Sequence, residues 1–342
     1  MTPTVSVVVA TYGRPDHVET CLRHLAALRT APSEIVVVDG SPDDRTREVV
    51  AQHPGVVYLR NDLGRGKLPE SRQIGERATT GDVLAFLDDD AFAEPEWLDE
   101  LVLPYADPEV VAVGGRARNG IPGEESVGLG SVGRFLPDGT LTGNFAADPG
   151  RVIGVDHILG ANMSFRRTAL DAIGGIRGDY PGTCLCEESD ISLRLRAAGG
   201  RLVYAPRAVV EHIAAPYGIG GQRFDRRYQF YARRNHVVLL ARNYGFGAPV
   251  LRRYLVTALK AQVGAVRSAG RRALGRPGPD GNRPTTRERL MAPAVATRVG
   301  ADLAGLAAGF PAAARARRQD RLDGVATPDP TRRAVVPARA AA

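Results

Sequence analysis

Residues 83–90 read Val-Leu-Ala-Phe-Leu-Asp-Asp-Asp, a buried-strand pattern that ends in three consecutive carboxylates. Three earlier apolar runs of the same kind, separated by segments with helical spacing, lie at 5–9, 34–38 and 56–59. Continuous apolar strands that alternate with helices are typical of a parallel sheet covered on both faces. In such sheets, ligands bind beyond the carboxyl ends of the strands. We therefore expect the chemistry of this chain where these strands end.

The rest of the chain carries further regular elements around one irregular stretch. Residues 114–155 are rich in Gly and Pro and predict a long surface excursion. The pattern predicts helices at 17–28, 46–52, 71–78, 96–103, 189–198, 222–244, 252–274 and 288–314, and strands at 110–113, 161–166, 201–204 and 208–212. The composition of the tail after 318 predicts disorder.

Composition places the chain among globular proteins. It has 342 residues, a formal net charge of +7 and three cysteines, Cys21, Cys184 and Cys186. The sparse, odd cysteine count is typical of a reducing compartment. The N-terminus lacks the features of a signal peptide, and no stretch is long and apolar enough to span a bilayer. We expect a cytoplasmic protein that is also able to lie against the inner face of the membrane.

The triplet Asp88-Asp89-Asp90 predicts a cation site. Three adjacent carboxylates repel one another unless a cation neutralises them, and Mg²⁺ or Mn²⁺ prefers oxygen ligands. The alternative is a solvated acidic loop that caps the next helix.

Other short motifs lie before and after the triplet along the chain. They are Val5–Tyr12, Glu34–Ser41, Arg72, Gly81–Asp90, Gly160–Arg166, Glu187–Leu195 and Val209–His212. This ordered series, over residues 4 to 243, resembles the inverting family 2 glycosyltransferases. The resemblance implies the GT-A fold, which is an α/β, mostly parallel mixed sheet flanked by helices, here with a C-terminal helical extension.

The resemblance also implies a donor site. Thr11, Tyr12 and Arg14 would line the base and ribose pocket, and Asp39 would hydrogen-bond the base. Arg72 would face the phosphates of a UDP-, dTDP- or GDP-sugar. Asp88 would contact ribose or metal, Asp90 would bind Mn²⁺ or Mg²⁺, and Asp89 would border the nucleotide or only shape the turn. His212 resembles the family's late metal or phosphate ligand, and the alternative is a buried structural histidine at a strand end.

The acceptor side is expected about a hundred residues later. By the family pattern, Glu188 is the general base and Glu187 is the second candidate. Asp190 would position acceptor hydroxyls or brace the helix, and Asn162 and Trp97 complete the expected acceptor set. The alternative for the acidic run is simple stabilisation of a helix N-terminus. For Trp97 it is core packing.

These roles imply four segments and one function. Residues 1–115 would form the nucleotide-sugar-binding half and 116–244 the acceptor-binding and catalytic half, followed by a basic helical extension at 245–317 and a tail at 318–342. The expected activity is the transfer of a sugar to a hydroxyl group. The resemblance implies that this transfer belongs to the glycosylation of a surface glycan, a glycolipid or a metabolite. The alternatives are a nucleotide-sugar nucleotidyltransferase and a non-catalytic carbohydrate- or nucleotide-binding protein.

The basic C-terminal part leaves several partners open. Residues 223–234 mix arginines with aromatic residues, a pattern that can bind single-stranded nucleic acid. We favour contact with a diphosphate or a lipid-linked acceptor, or a plain surface helix, and expect no nucleic acid. For the helix at 252–274 we consider a place in a membrane interface, where anionic lipids would attract its basic side chains.

Overall fold

A computed structural model describes residues 2–182, 185–213, 225–277 and 281–325. The strands are β1 (Val5–Thr11), β2 (Glu34–Asp39), β3 (Val56–Arg60), β4 (Val83–Asp88), β5 (Ala91–Ala93), β6 (Val110–Arg118), β7 (Ile153–Gly154), β8 (Asn162–Arg166) and β9 (Arg201–His212). The helices are α1 (Pro15–Ala26), α2 (Arg45–Val50), α3 (Leu68–Ala78), α4 (Trp97–Val102), α5 (Arg167–Ala172), α6 (Glu187–Ala197), α7 (Arg226–Tyr244), α8 (Pro249–Ala273), α9 (Thr286–Met291) and α10 (Ala294–Leu322).

All the described strands belong to one mixed sheet. Its order is β3-β2-β1-β4-β8-β6-β9-β5, and β7 pairs with β9. The first four strands along this order are mutually parallel, whereas β8 is antiparallel to both of its neighbours. The α/β sheet flanked by helices, with helices at the C-terminal end, is confirmed.

Apolar side chains cover both faces of the sheet. In β1, Val7 and Val9 point into one core with α1, and Val8 points into the other. Helix α1 contributes Val18, Cys21, Leu22 and Leu25, whose spacing places them on one face. Strands that are buried on both faces need continuous apolar runs, which explains why the sequence pattern located β1, β2 and β4.

The structure corrects several predicted boundaries. Residues 201–212 form one strand rather than two, with a register irregularity opposite Gly115 and Arg116. Pro206 lies at this irregularity, where its missing N–H costs no ladder hydrogen bond. The excursion at 114–155 begins inside β6, which runs to Arg118, and continues through two short 3₁₀ turns.

The C-terminal helices α8 and α10 pack on α7. Helix α10 lies along α7, and two glycines of α10 allow the helices to approach closely. A Cβ atom on Gly305 would lie only 2.3 Å from Phe230 O, and one on Gly309 would lie 2.5 Å from Val237 Cβ. Helix α10 extends to Leu322, beyond the boundary expected at 318, because Asp320 forms buried ion pairs with Arg177 and Arg242. Residues 326–342 of the expected tail lie outside the described residues. Within the described part of the chain, none of the helices has the length and apolarity that crossing a membrane requires.

Candidate active site

Three strand ends bring predicted site residues to one edge of the sheet. Thr11 lies opposite Asp39 in the β1–β2 pair, and Ala10 lies opposite Asp88 in the β1–β4 pair. Because these strands are parallel, their carboxyl ends meet at the same edge. The sheet therefore sets Thr11, Asp39 and Asp88 side by side.

The three carboxylates of the triplet have different surroundings. Asp88 keeps a quarter of its side chain exposed and accepts a hydrogen bond from Arg72 Nη2 at 2.9 Å. Asp89 is fully buried and accepts from Thr11 Oγ1 at 2.6 Å and from Arg14 Nε at 3.1 Å. Asp90 is buried, 3.2 Å from Arg14 Nη1. The triplet thus consists of one partly exposed and two buried carboxylates.

Asp89 is buried inside the site and contacts other residues of the protein. Burial raises its pKa to about 7; Arg14 opposes the shift, and the neighbouring carboxylates Asp90 and Asp88 add to it. Its hydrogen bonds go to Thr11 and Arg14, two residues expected to hold the nucleotide. Asp89 therefore holds the first strand end in place, and its expected place beside the nucleotide stays a prediction.

Asp88, Asp90 and His212 form a group suited to a cation. One ligand atom from each residue lies within 4.8 Å of the other two. The β5–β9 pairing carries His212 to the triplet, because it lies opposite Ala91. His212 Nε2 is buried without a hydrogen bond and lies 3.5 Å from Asp90 Oδ1. Two carboxylates and a neutral imidazole suit Mn²⁺, and an unsatisfied buried nitrogen indicates a missing partner.

A pocket of about 390 Å³ opens beside this group. Its wall includes four residues expected to bind the donor, namely Thr11, Tyr12, Arg14 and Asp88. The volume lies within the usual range for small-molecule sites. The structure thus places four of the residues that were predicted to bind the donor in the wall of one cavity.

One part of the pocket wall was missed by the sequence analysis. It comprises residues 64–68, which are the loop between β3 and α3 and the first residue of α3, and it includes Arg65 and Lys67. The signal was present, because two glycines with positive φ interleave with two basic residues, as in loops that approach phosphates. The start of α7 also lines the pocket, and there Asp225 caps the helix by accepting from the backbone N–H of Tyr228 at 2.8 Å.

Among residues 223–234, for which ligand contact was expected, those at the start of α7 line the pocket. Arg227 and Tyr228 line the pocket, and the Arg227 guanidinium also lies 5.7 Å from the centre of the Tyr231 ring. Arg223 and Phe224 lie outside the described residues.

Asp39 lies deeper than expected. It is fully buried and accepts hydrogen bonds from Ser41 N at 2.8 Å, from Ser41 Oγ, and from Tyr58 Oη at 3.1 Å. Gly40, the next residue, lines the pocket. Asp39 therefore shapes the turn that forms the wall, and its contact with a base stays a prediction.

Arg72 joins the two acidic clusters. Its Nη1 donates to Glu187 Oε2 at 2.5 Å, and its Nη2 donates to Asp88 Oδ1 and to Gly160 O, both at 2.9 Å. The side chain is buried, so these acceptors take the place that the sequence analysis gave to phosphates. Its contact with a diphosphate stays a prediction, and its structural role is to hold β4 and α6 together.

The acidic residues at the start of α6 follow a strained turn. Cys186, directly before it, has φ of 78°, which is uncommon for a residue other than glycine. Glu187 is buried on Arg72, and burial raises its pKa. Glu188 is half-buried, and desolvation followed by repulsion from Glu187 raises its pKa to about 7. A carboxylate with that pKa is matched to proton transfer near neutral pH.

Asp190 braces helix α6. It accepts from Arg194 Nε at 2.9 Å, Tyr180 Oη at 3.0 Å and Asn243 Nδ2 at 2.7 Å, and it is almost fully buried. Burial alone would raise its pKa, but Arg194, Arg177 and Arg242 hold the pKa far below its usual range. These contacts favour the brace among the two roles weighed for Asp190, and contact with an acceptor stays a prediction.

Asn162 and Trp97 also differ from the expected acceptor set. Both are fully buried, and Trp97 Nε1 donates to Asn162 Oδ1 at 2.9 Å. The amide nitrogen of Asn162 donates to the backbone oxygens of Arg116 and Ala208. With all these groups satisfied inside the core, neither side chain is accessible to an acceptor, so the expectation of direct contact is corrected.

Parts of this sequence are similar to those of known proteins. The family profile "Glycosyl transferase family 2" matches residues 6–174. A glucosyl-dolichyl phosphate glucuronosyltransferase of Haloferax volcanii is 33% identical over 224 residues, which are 61% of this chain and 68% of the relative. The chain belongs to glycosyl transferase family 2. It is accordingly a glycosyltransferase.

Further similarities agree with this family and with the fold. A pre-mycofactocin glycosyltransferase of Mycobacterium tuberculosis is 28% identical over 209 residues, 61% of this chain and 42% of that protein. A mannosyltransferase of Pyrobaculum calidifontis, solved with GDP-Man and Mn²⁺, superposes with a TM-score of 0.56 at 19% identity, covering 94% of this chain and 88% of that one. GalNAc-T7, solved with UDP, GalNAc and Mn²⁺, gives 0.53 at 17% identity, covering 95% and 58%. The GT-A fold is confirmed.

Proposed function

We propose that this glycosyltransferase moves a sugar from a nucleoside diphosphate to a hydroxyl acceptor, with inversion and with a divalent cation. One observation carries the proposal. Asp88 belongs both to the wall of the 390 Å³ pocket and to the group formed with Asp90 and His212. A nucleotide in this pocket would have its diphosphate next to the cation ligands. The nucleotidyltransferase and the non-catalytic binding protein do not fit the family to which the chain belongs.

The cation site fits the residues present. Asp88, Asp90 and His212 would hold Mn²⁺ or Mg²⁺, and the ion would satisfy the buried His212 Nε2. When bound, the cation neutralises the charge of the leaving diphosphate. The Mn²⁺ complexes of the two superposed structures are consistent with this set.

The proton step belongs to Glu188. As the acceptor oxygen attacks the anomeric carbon, the Glu188 carboxylate takes the hydroxyl proton, and the bond from that carbon to the diphosphate breaks on the opposite face. Glu188 is suited to this because burial and Glu187 raise its pKa to about 7. Glu187 is committed to Arg72 and is therefore the weaker candidate.

The acceptor is proposed by analogy with a relative. The Haloferax volcanii relative is a glucosyl-dolichyl phosphate glucuronosyltransferase, and this similarity supports a lipid-linked acceptor here. We place the enzyme in the cytoplasm, in keeping with its three cysteines.

Thermal unfolding with UDP, dTDP and GDP, each with and without Mn²⁺, tests the donor site. A ligand raises Tm according to its affinity for the folded state. We expect one diphosphate to raise Tm further with Mn²⁺ than alone, and His212→Gln to remove that increment. His53→Gln is the matched control, because His53 pairs with Glu19 on a different part of the surface. Equal shifts with and without Mn²⁺ in the unsubstituted protein would overturn the cation-dependent donor site.

A further inference from the structure

Helix α8 has one buried side and one exposed side. Its buried residues are Leu251, Tyr254, Ala258, Gln262 and Ala269. Across its 25 residues it carries six basic side chains and no acidic one, so its exposed side is strongly positive. The basic residues are Arg252, Arg253, Lys260, Arg267, Arg271 and Arg272.

A stripe of apolar side chains runs along the exposed side. Val256, Leu259, Val263 and Val266 are each exposed by about half, at 47%, 48%, 49% and 52%. Their spacing of three, four and three residues places them on one face of the helix. Leu274, at 68% exposure, follows just after the helix ends. Scattered apolar residues are common on protein surfaces, but a continuous stripe marks an interaction site.

A basic row lies directly beside this apolar stripe. Lys260 lies four residues after Val256, and Arg267 lies four residues after Val263, so each pair shares a helix face. Arg253 and Arg271 extend the row at both ends, and all four side chains are exposed. An exposed apolar stripe edged by long basic side chains is the pattern of a helix that lies in a bilayer interface.

We propose that this surface, the apolar stripe of α8 with its basic row, docks on an anionic lipid bilayer. The apolar side chains enter the boundary between headgroups and acyl chains, while the basic row contacts lipid phosphates. The docking does not depend on the proposed donor or acceptor. It also accounts for the basic excess that the sequence concentrates in its C-terminal part.

Charge argues against two other occupants. Two copies of the chain that pair through α8 would bring basic rows together, with no acidic side chain on either helix. Residues 326–342 carry three arginines and one aspartate, so they have the same sign as α8. An anionic surface is the complementary partner.

Co-sedimentation of the full chain with vesicles tests the proposal. The probes are phosphatidylcholine vesicles with and without 30% phosphatidylglycerol at low salt. We expect partitioning only with the anionic lipid. Arg253→Glu, Lys260→Glu and Arg267→Glu together should lower it roughly 100-fold, since each basic residue contributes about fivefold. Leu259→Gln with Val263→Gln should lower it on the order of tenfold.

Matched controls separate docking from net charge. Arg23→Glu, Arg29→Glu and Arg77→Glu remove the same charge from the N-terminal half, and Leu103→Gln alters another exposed apolar residue. Both control variants should bind vesicles as the unsubstituted protein does. The proposal is overturned if anionic vesicles are ignored, or if the α8 variants and the controls lose binding equally. It is also overturned if sedimentation velocity shows a dimer that only the α8 variants dissociate.

Discussion

The two acidic clusters of this enzyme, Asp88–Asp90 and Glu187–Asp190, contain the same kind of side chain in very different states. In the first, the outermost residue Asp88 is the most exposed, and Asp89 is buried on Arg14. In the second, Glu188 is half-buried with a raised pKa, whereas Asp190 is buried with a strongly lowered one. Each cluster thus contains a partly exposed carboxylate, Asp88 or Glu188, and a buried one that is bound by arginine, Asp89 or Asp190.

The difference lies in the arginines rather than in the acids. Burial raises the pKa of a lone carboxylate, but enough positive charge nearby reverses the shift. Asp190 has Arg194 at 2.9 Å and two more arginines close by, while repulsion from Glu187 acts on Glu188. Arg72 then ties the two clusters through Asp88 and Glu187. The pKa of each carboxylate is therefore set by its burial together with the arginines and carboxylates that surround it.

The largest expected effect comes from Glu188→Gln. Loss of a general base costs about 10²–10⁴-fold in turnover, and Gln preserves the shape. We expect this loss in the release of nucleoside diphosphate from the matching sugar nucleotide, with an unchanged Tm shift by that diphosphate. Glu188→Asp should retain part of the activity. Normal turnover in Glu188→Gln would remove the distinction between Glu188 and its neighbours.

The pH profile sharpens the same assignment. A general base works only when it is deprotonated, so activity should fall as the pH drops through about 7, the pKa of Glu188. The residual activity of Glu188→Gln should lack that step. A profile that is flat between pH 6 and 8 in the unsubstituted enzyme would contradict the assignment.

Asp190→Ala is expected to act on stability. The substitution leaves Arg194 and Arg177 buried without this partner, and breaking a buried ion pair costs about 3–5 kcal/mol. Urea unfolding measures the loss. Glu96→Ala removes an exposed pair with Arg29 and should cost at most about 1 kcal/mol. If Asp190→Ala instead kept its stability and lost acceptor affinity, the brace would be the wrong role.

Trp97→Phe should have the smallest effect. It removes the hydrogen bond to Asn162 and leaves a buried acceptor unsatisfied, at a cost of about 1–3 kcal/mol. We expect a lower free energy of unfolding and an unchanged KM for the acceptor. A raised acceptor KM with unchanged stability would restore the expected sugar contact.

The sequence alone located most of the fold and part of the site. Continuous apolar runs identified β1, β2 and β4, and the carboxylates after β4 identified the position of two members of the candidate cation group. Short strands such as β5 and β7 escaped, because three or two residues carry no periodic signal. Residues 64–68 escaped because their role depends on which cavity they face.

What the sequence by itself determined is the order of the motifs, and with it the family and the strand ends where polar residues gather. Only the tertiary structure decided which acid in each cluster is partly exposed. Neighbouring carboxylates look alike along the chain, while their pKa values depend on burial and on partners far away in sequence. Arg72 reaches Glu187 across 115 residues, and Arg242 acts on Asp190 from α7. Such long-range contacts form only when the chain has folded.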